Sequence, residues 1–297
     1  MEWRKKSISA INLAESWLPL ILTSVTLLSV TSILQRIMLK KDDSDPIAYS
    51  VIFQICISLL YLIYGSVIGD IRIVGLLEVL PSLAVMTVIY GLGGIGIFTA
   101  LKHVEASKYT VLFSSRALFS AIGFTIILGD VFDLKQALGA LLLIGGIIVV
   151  NYGDLDWRFK KGDFYALLAG LCFGIANIND KILLNHFTLY TYLFLAFLFP
   201  PLFTLMIIPK TAKQLGTVFN WGNARVLLLT VVVSTLGSLA FFAALKVADS
   251  PSKVTTVNLL GVIVTVVMAI VFLKERDRVP QKLAGAILSM LGVYLIL

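Results

Sequence analysis

Arg116 is the residue whose type and setting point most directly to chemistry. It stands in SKYTVLFSSRALFSAIGFTIILGD, residues 107–130, a run otherwise dominated by apolar and small side chains. About eight residues into that run, a helical rise of about 1.5 Å per residue puts it roughly 12 Å deep. In a bilayer a charge at that depth costs at least ~2.5 kcal/mol and needs a partner. A guanidinium stays charged and can grip a carboxylate or phosphate with two parallel bonds. Two readings follow: a substrate anchor or gate, or a structural pair made with Asp180 or with backbone carbonyls. Thr110, Phe113, Arg116 and Ser120 fall on one helical stripe, as expected of a cavity wall.

Asp180 lies in NINDK with Asn177 one turn before it, and is the one acid well inside an apolar run. It fits a proton-coupling carboxylate, a cation ligand, or a structural ion pair with Arg116 or Lys181. The ion pair is favoured, because a proton relay normally sits deeper. Further candidates for substrate contact are Tyr90, Ser234, Gln35, Thr255 and Asn258. Asn258 can offer a donor and an acceptor to a zwitterion, or can serve interhelical hydrogen bonding alone. GLGGIG at 91–96 matches a dinucleotide fingerprint by letter, but it follows no strand and opens no βαβ unit. It reads better as close helix packing, like Ala166, Gly170 and Gly174 further on. His103 and His186 are far apart with no metal-ligand spacing, and no nucleophile, base and acid are suggested by position. No catalytic residue, metal or cofactor is expected, and the absence of a phosphate loop argues against direct coupling to ATP hydrolysis.

These residues need helices in a membrane to hold them. Of 297 residues 59% are hydrophobic and 14% charged, with mean hydropathy +0.97. Soluble domains are nearer a quarter charged, so a soluble enzyme, a secreted module and a disordered chain are all excluded. The net charge of +7 sits mainly in short gaps between apolar runs, which suits lipid headgroups rather than nucleic acid. Cys56 and Cys172 lie inside apolar stretches, so no disulfide framework is expected. No cleavable signal is visible, since the first apolar run is long enough to span. With about 20 residues per crossing, ten spans emerge: Trp17–Leu39, Ile47–Gly69, Leu80–Leu101, Lys108–Leu128, Leu134–Tyr152, Asp163–Leu184, Leu189–Pro209, Arg225–Leu245, Ser252–Leu273 and Val279–Leu297.

The ten spans are two fives. LGGIGIFTALK at 92–102 matches LGSLAFFAALK at 236–246 in six of eleven positions. On the same overlay Ser107 and Lys108 meet Ser252 and Lys253, Asp130 meets Glu275, and Gln136 meets Gln281. Tyr90 falls on Ser234, and Gln35 on Asp180. The halves are expected at 1–153 and 154–297. Five is odd, so the second half enters from the opposite face. An inverted repeat of this kind recurs in secondary transporters, whose substrate site lies near midplane between the repeats.

At this point each half resembles the EamA-type unit of the drug/metabolite transporter superfamily. The unit's fourth-helix signature appears as SKYTVLFSSRALFSAIGFTIILGD and SKVTTVNLLGVIVTVVMAIVFLKE, and its fifth-helix signature as QALGALLLIGG and QKLAGAILSMLG. The family's mid-helix proline is replaced by Arg116 and Gly261, which puts the family's kink in doubt. The resemblance implies a barrel of helices in which spans 1, 3, 4, 6, 8 and 9 line the pathway and spans 5 and 10 pack outside. It also implies cytoplasmic termini, whereas eight basic residues on one side of the chain against fifteen on the other favour termini outside. Orientation stays open. The expected fold is an all-α polytopic membrane protein of ten transmembrane helices. The expected function is alternating-access movement of a small polar metabolite with an anionic group, such as an amino acid or organic acid. A non-transporting receptor or scaffold and a lipid-type flippase are the rivals. Expected partners are a small-molecule substrate and the lipid bilayer, with no nucleic acid, in a monomer or homodimer. The expected location is a prokaryotic cytoplasmic membrane.

Overall fold

The computed structural model describes residues 17–40, 45–119, 122, 134–151, 160–218, 221–248, 254, 257–258 and 260–296. Among these residues the regular elements are eleven helices. The first repeat holds α1 (Trp17–Leu39), α2 (Pro46–Val67), α3 (Leu80–His103), α4 (Ala106–Phe113) and α5 (Leu134–Asn151). The second holds α6 (Lys161–His186), α7 (Leu189–Ile207), α8 (Thr211–Val218), α9 (Trp221–Val247), α10 (Leu260–Phe272) and α11 (Val279–Ile296). Every expected span corresponds to one of them. The short α8 falls in what was expected to be a loop.

Local chemistry sets the boundaries. Asp45 precedes Pro46, and its carboxylate accepts the N–H groups of Ile47 and Ala48 at 2.9 and 2.7 Å. Proline at the first helical position has no N–H to leave unpaired. The Asp163 carboxylate accepts the Lys160 N–H at 3.1 Å, closing the start of α6. Among the described residues, five helices are long and apolar enough to cross a bilayer, and three shorter ones are apolar. Large apolar side chains such as Ile63, Leu141, Leu228 and Val271 point outward. A hydrocarbon solvent makes that orientation favourable, and it would be costly in water.

The packing obeys a pseudo-two-fold rule. α3 lies on α6 and α9 on α1, while α4 meets α6 and α10 meets α1. α2 pairs with α7, α4 with α10, and α5 with α11. Each of these contacts thus has an equivalent under exchange of the halves. The inversion is visible in two contacts. Arg36, in the last turn of α1, donates to the carbonyls of Leu101 and Lys102 at the end of α3. Asp163, in the first turn of α6, is bound to Lys108 at the start of α4. The end of α3 and the start of α4 are the same place, so α1 finishes where its repeat mate α6 begins.

The closest crossing is α5 on α11. A Cβ on Gly146 would meet the Gly285 carbonyl at 2.7 Å, and one on Gly292 would meet the Leu143 nitrogen at 2.4 Å. Only glycine lets the two backbones touch there.

Candidate functional site

The fourth span is broken although it lacks the family's mid-helix proline. α4 stops at Phe113, Ser114 and Ser115 form a turn, and helix resumes at 116–119. No proline is needed. The Ser114 hydroxyl donates to the Val111 carbonyl at 2.6 Å, while the N–H groups of Ser115 and Ala117 donate to Leu112 and Ser114 in tightened three-residue steps. A serine bonding back to its own helix competes with the backbone ladder and bends it. Gly170 of α6 makes room for the break, since a Cβ there would lie 2.4 Å from the Ser115 Oγ and 3.3 Å from the Arg116 nitrogen. The Ala166, Gly170 and Gly174 seam therefore accommodates the break beside Arg116.

Arg116 is partly buried. Its guanidinium carbon lies 4.8 Å from the Phe113 ring centroid, and the Tyr109 and Tyr90 hydroxyls are within its electrostatic range. A cation over an aromatic face gains about 0.5–2 kcal/mol, depending on desolvation. Among the described residues it makes no ion pair, with Asp180 or with any other acid. Phe173 of α6 meets Phe113 edge-on at 5.3 Å and Tyr90 of α3 edge-on at 5.0 Å. The Tyr90 hydroxyl then donates to the Asp180 carboxylate. Arg116, Phe113, Phe173, Tyr90 and Asp180 thus form one unbroken chain of contacts across α3, α4 and α6. Gly93, in the GLGGIG run, leaves the space for Phe173, since a Cβ there would sit 2.9 Å from its ring.

Asp180 is buried, with its Oδ2 engaged by Tyr90. The Tyr192 hydroxyl on α7, also buried, faces the Asp180 carboxylate and the Tyr90 hydroxyl. Gln35 on α1 and Ser234 on α9 are buried, and Asn258 is partly buried. Among the described residues none of these three is hydrogen-bonded to the Arg116–Asp180 chain. Thr265, on the same stripe as Asn258, donates to the Ser29 hydroxyl of α1 at 3.0 Å, which is interhelical bonding. Ser120 and Thr255 lie outside the described residues, as do the side chains of Asn177 and Lys181.

A second group of charges was not singled out from the sequence, because its members sit at helix ends and read as headgroup-facing. Glu275, just past α10, accepts the N–H groups of Ala106 and Ser107 at 3.0 and 3.2 Å and the Ser107 hydroxyl at 2.6 Å. An acid from the second repeat thereby caps the first turn of α4, where the helix end favours negative charge. Lys282 of α11 pairs with Glu105 at 2.6 Å and donates to the Glu275 carbonyl at 3.2 Å. Arg36 caps the end of α3 within electrostatic range of both acids. Arg36, Glu275 and Lys282 are 9%, 8% and 6% exposed, so this is an interior cluster. The sequence signal was present in the overlay of Asp130 on Glu275, which marked an acid at the same helix end in both halves. Asp130 itself lies outside the described residues.

Comparison with known proteins places this geometry in a family. The model of the EamA-like transporter family matches twice, at residues 15–152 and 160–297. An uncharacterized transporter of Archaeoglobus fulgidus is 28% identical over 208 residues, covering 67% of this chain and 69% of that protein. The uncharacterized transporter YoaV of Bacillus subtilis is 26% identical over 114 residues, 37% of this chain and 39% of that one. A solved protein structure superposes with a TM-score of 0.64 at 12% identity, covering 93% of this chain and 94% of its own, which speaks to fold alone. Two inverted helical repeats, each matched by the family model in tandem, lead to one conclusion: the chain belongs to the EamA-like transporter family, within the drug/metabolite transporter superfamily.

Proposed function

We propose that the protein carries a small polar solute with an anionic group by alternating access, with Arg116 as the solute's anchor. The observation that supports this most is that Arg116 is charged and partly buried, and has no ion-pair partner among the described residues. An uncompensated charge in the low-dielectric interior is costly, and a carboxylate or phosphate on the solute relieves that cost while gaining paired bonds. Phe113, Phe173 and Tyr90 supply aromatic walls along which the rest of the solute can lie.

Asp180 is the coupling group in this reading. Burying an ionised carboxylate without a cation costs several kcal/mol, and a proton is the smallest ligand that removes the cost. Tyr90 holds one oxygen, and the other can take the proton.

A thermal-shift screen of carboxylates and phosphates on purified protein tests the anchor, since a ligand at 100 times its Kd adds about 2.7 kcal/mol of stability. Arg116→Ala should abolish the shift given by the best hit, and its transport in proteoliposomes. If Arg116→Ala carries that solute as well as the original, the anchor role is wrong. Asp180→Asn should keep solute counterflow but lose accumulation driven by a pH gradient. Retained accumulation removes Asp180 from coupling.

A further inference from the structure

The cluster built on Glu275 joins parts that must move against one another if the halves rock. Arg36 and the junction of α3 with α4 belong to the first repeat, while Glu275 and Lys282 belong to the second. We propose that Glu275, Lys282 and Glu105 form an inter-repeat lock, with Arg36 in electrostatic range of both acids, that holds the pathway closed at the membrane face where α3 meets α4. Its opening is then the step that exposes the solute site to that face.

Three features support the assignment. The first is location: the contacts gather at one end of the bundle, about ten residues and roughly 15 Å along the helix axis from Arg116. The second is the kind of bond. The main contact across the repeats joins a charge to a helix end: Glu275 to the N–H groups at the start of α4. These groups have no partners within their own helices, so water can replace the lock without leaving a polar atom unpaired. The α5–α11 crossing is different in chemistry, because its closest contacts bring backbone against backbone at glycines, with the Gln281 side chain donating to the Val149 carbonyl at one end. The crossing suits a fixed pivot, and the Glu275 cluster suits a seal that is made and broken. The third is leverage. α4 carries the break at Ser114–Ser115 and then Arg116. Its first turn is held by Glu275, so releasing that turn lets the short segment 106–113 swing while α6 keeps Gly170 against the break.

The positions are those of positioning residues: none of the three is in the contact chain that holds Arg116. The inference rests on alternating access but not on the chemistry of the solute. A reporter distinguishes the two. Thr110 is partly buried on α4, between the lock and the break. In a Cys56→Ala, Cys172→Ala background, Thr110→Cys is labelled with a membrane-impermeant maleimide applied to each face of sealed vesicles in turn. Glu275→Gln keeps the shape and removes the charge, and should speed labelling from the α3–α4 face by about tenfold or more. Labelling from the opposite face should not rise, and Glu275→Asp should restore most of the original rate. Lys282→Met, which removes the ion pair with Glu105, should give a smaller change of the same direction. A general loosening of the fold would raise labelling from both faces and overturn the proposal. So would an unchanged rate at the α3–α4 face in folded Glu275→Gln and Lys282→Met proteins. Failure of alternating access itself would show separately, in an Arg116→Cys protein with Glu275 and Lys282 unchanged, as a position 116 reached from one face alone.

Discussion

Two neighbouring glycines on α5 should respond oppositely to the same substitution. A Cβ added at Gly145 meets nothing within 4 Å, whereas one at Gly146 meets the Ser289 Oγ at 2.3 Å, the Gly285 carbonyl at 2.7 Å and the Ser289 nitrogen at 2.8 Å. The serine oxygen can rotate away, but the two backbone atoms cannot. Restoring ordinary contact requires α5 and α11 to part by roughly 0.7 Å, and a gap of that size forfeits a quarter to a half of each dispersion contact nearby. With a few dozen atom pairs at about 0.1–0.2 kcal/mol each, the loss is of order 1–3 kcal/mol, in line with overpacking in tight cores. Gly145→Ala escapes this and gains helix propensity, up to about 1 kcal/mol. Each protein would be purified in the same detergent and its thermal and denaturant-induced unfolding compared. Gly146→Ala should be clearly less stable and Gly145→Ala equal to or more stable than the original. Equal stability of the two variants would refute the close crossing of α5 on α11.

Other substitutions test the smaller parts. Asp45→Ala removes the cap of α2 and should cost about 0.5–2 kcal/mol in the same unfolding assay. Tyr61→Phe loses contacts of its hydroxyl with the Thr235 carbonyl and the Ser238 hydroxyl, both at 2.7 Å. A cost of about 1–3 kcal/mol is expected, because buried acceptors are left unmet. Arg36→Met leaves the Leu101 and Lys102 carbonyls without their side-chain donor and should cost about 1–3 kcal/mol on thermal unfolding. No measurable loss would mean that these carbonyls do not depend on Arg36.

The helices were legible because a bilayer imposes a length and an apolarity that few sequence patterns can imitate. Trp17–Leu39 was placed to the residue, and most other boundaries fell within a turn of those observed. The inversion was legible too, since it follows from an odd number of spans per repeat. The break in the fourth helix was not. Composition marked a missing proline, while the bend comes from a serine hydroxyl competing for the Val111 carbonyl. The charged cluster escaped for a related reason. A lysine or arginine at a helix end looks alike in sequence whether it reaches headgroups or turns inward, and only the fold shows that Arg36 and Lys282 are buried. Arg116 and Asp180 were singled out by depth alone, but their contacts could not be read that way: Tyr90, not Arg116, holds the Asp180 carboxylate.

The central claim is that position 116 is open to each side of the membrane in turn. The most direct measurement places a single cysteine there, as Arg116→Cys in the Cys56→Ala, Cys172→Ala background, and applies an impermeant thiol reagent to sealed vesicles of either orientation. Alternating access predicts labelling from both faces while the vesicles stay tight to small ions. Labelling from one face only, or from neither, would contradict it.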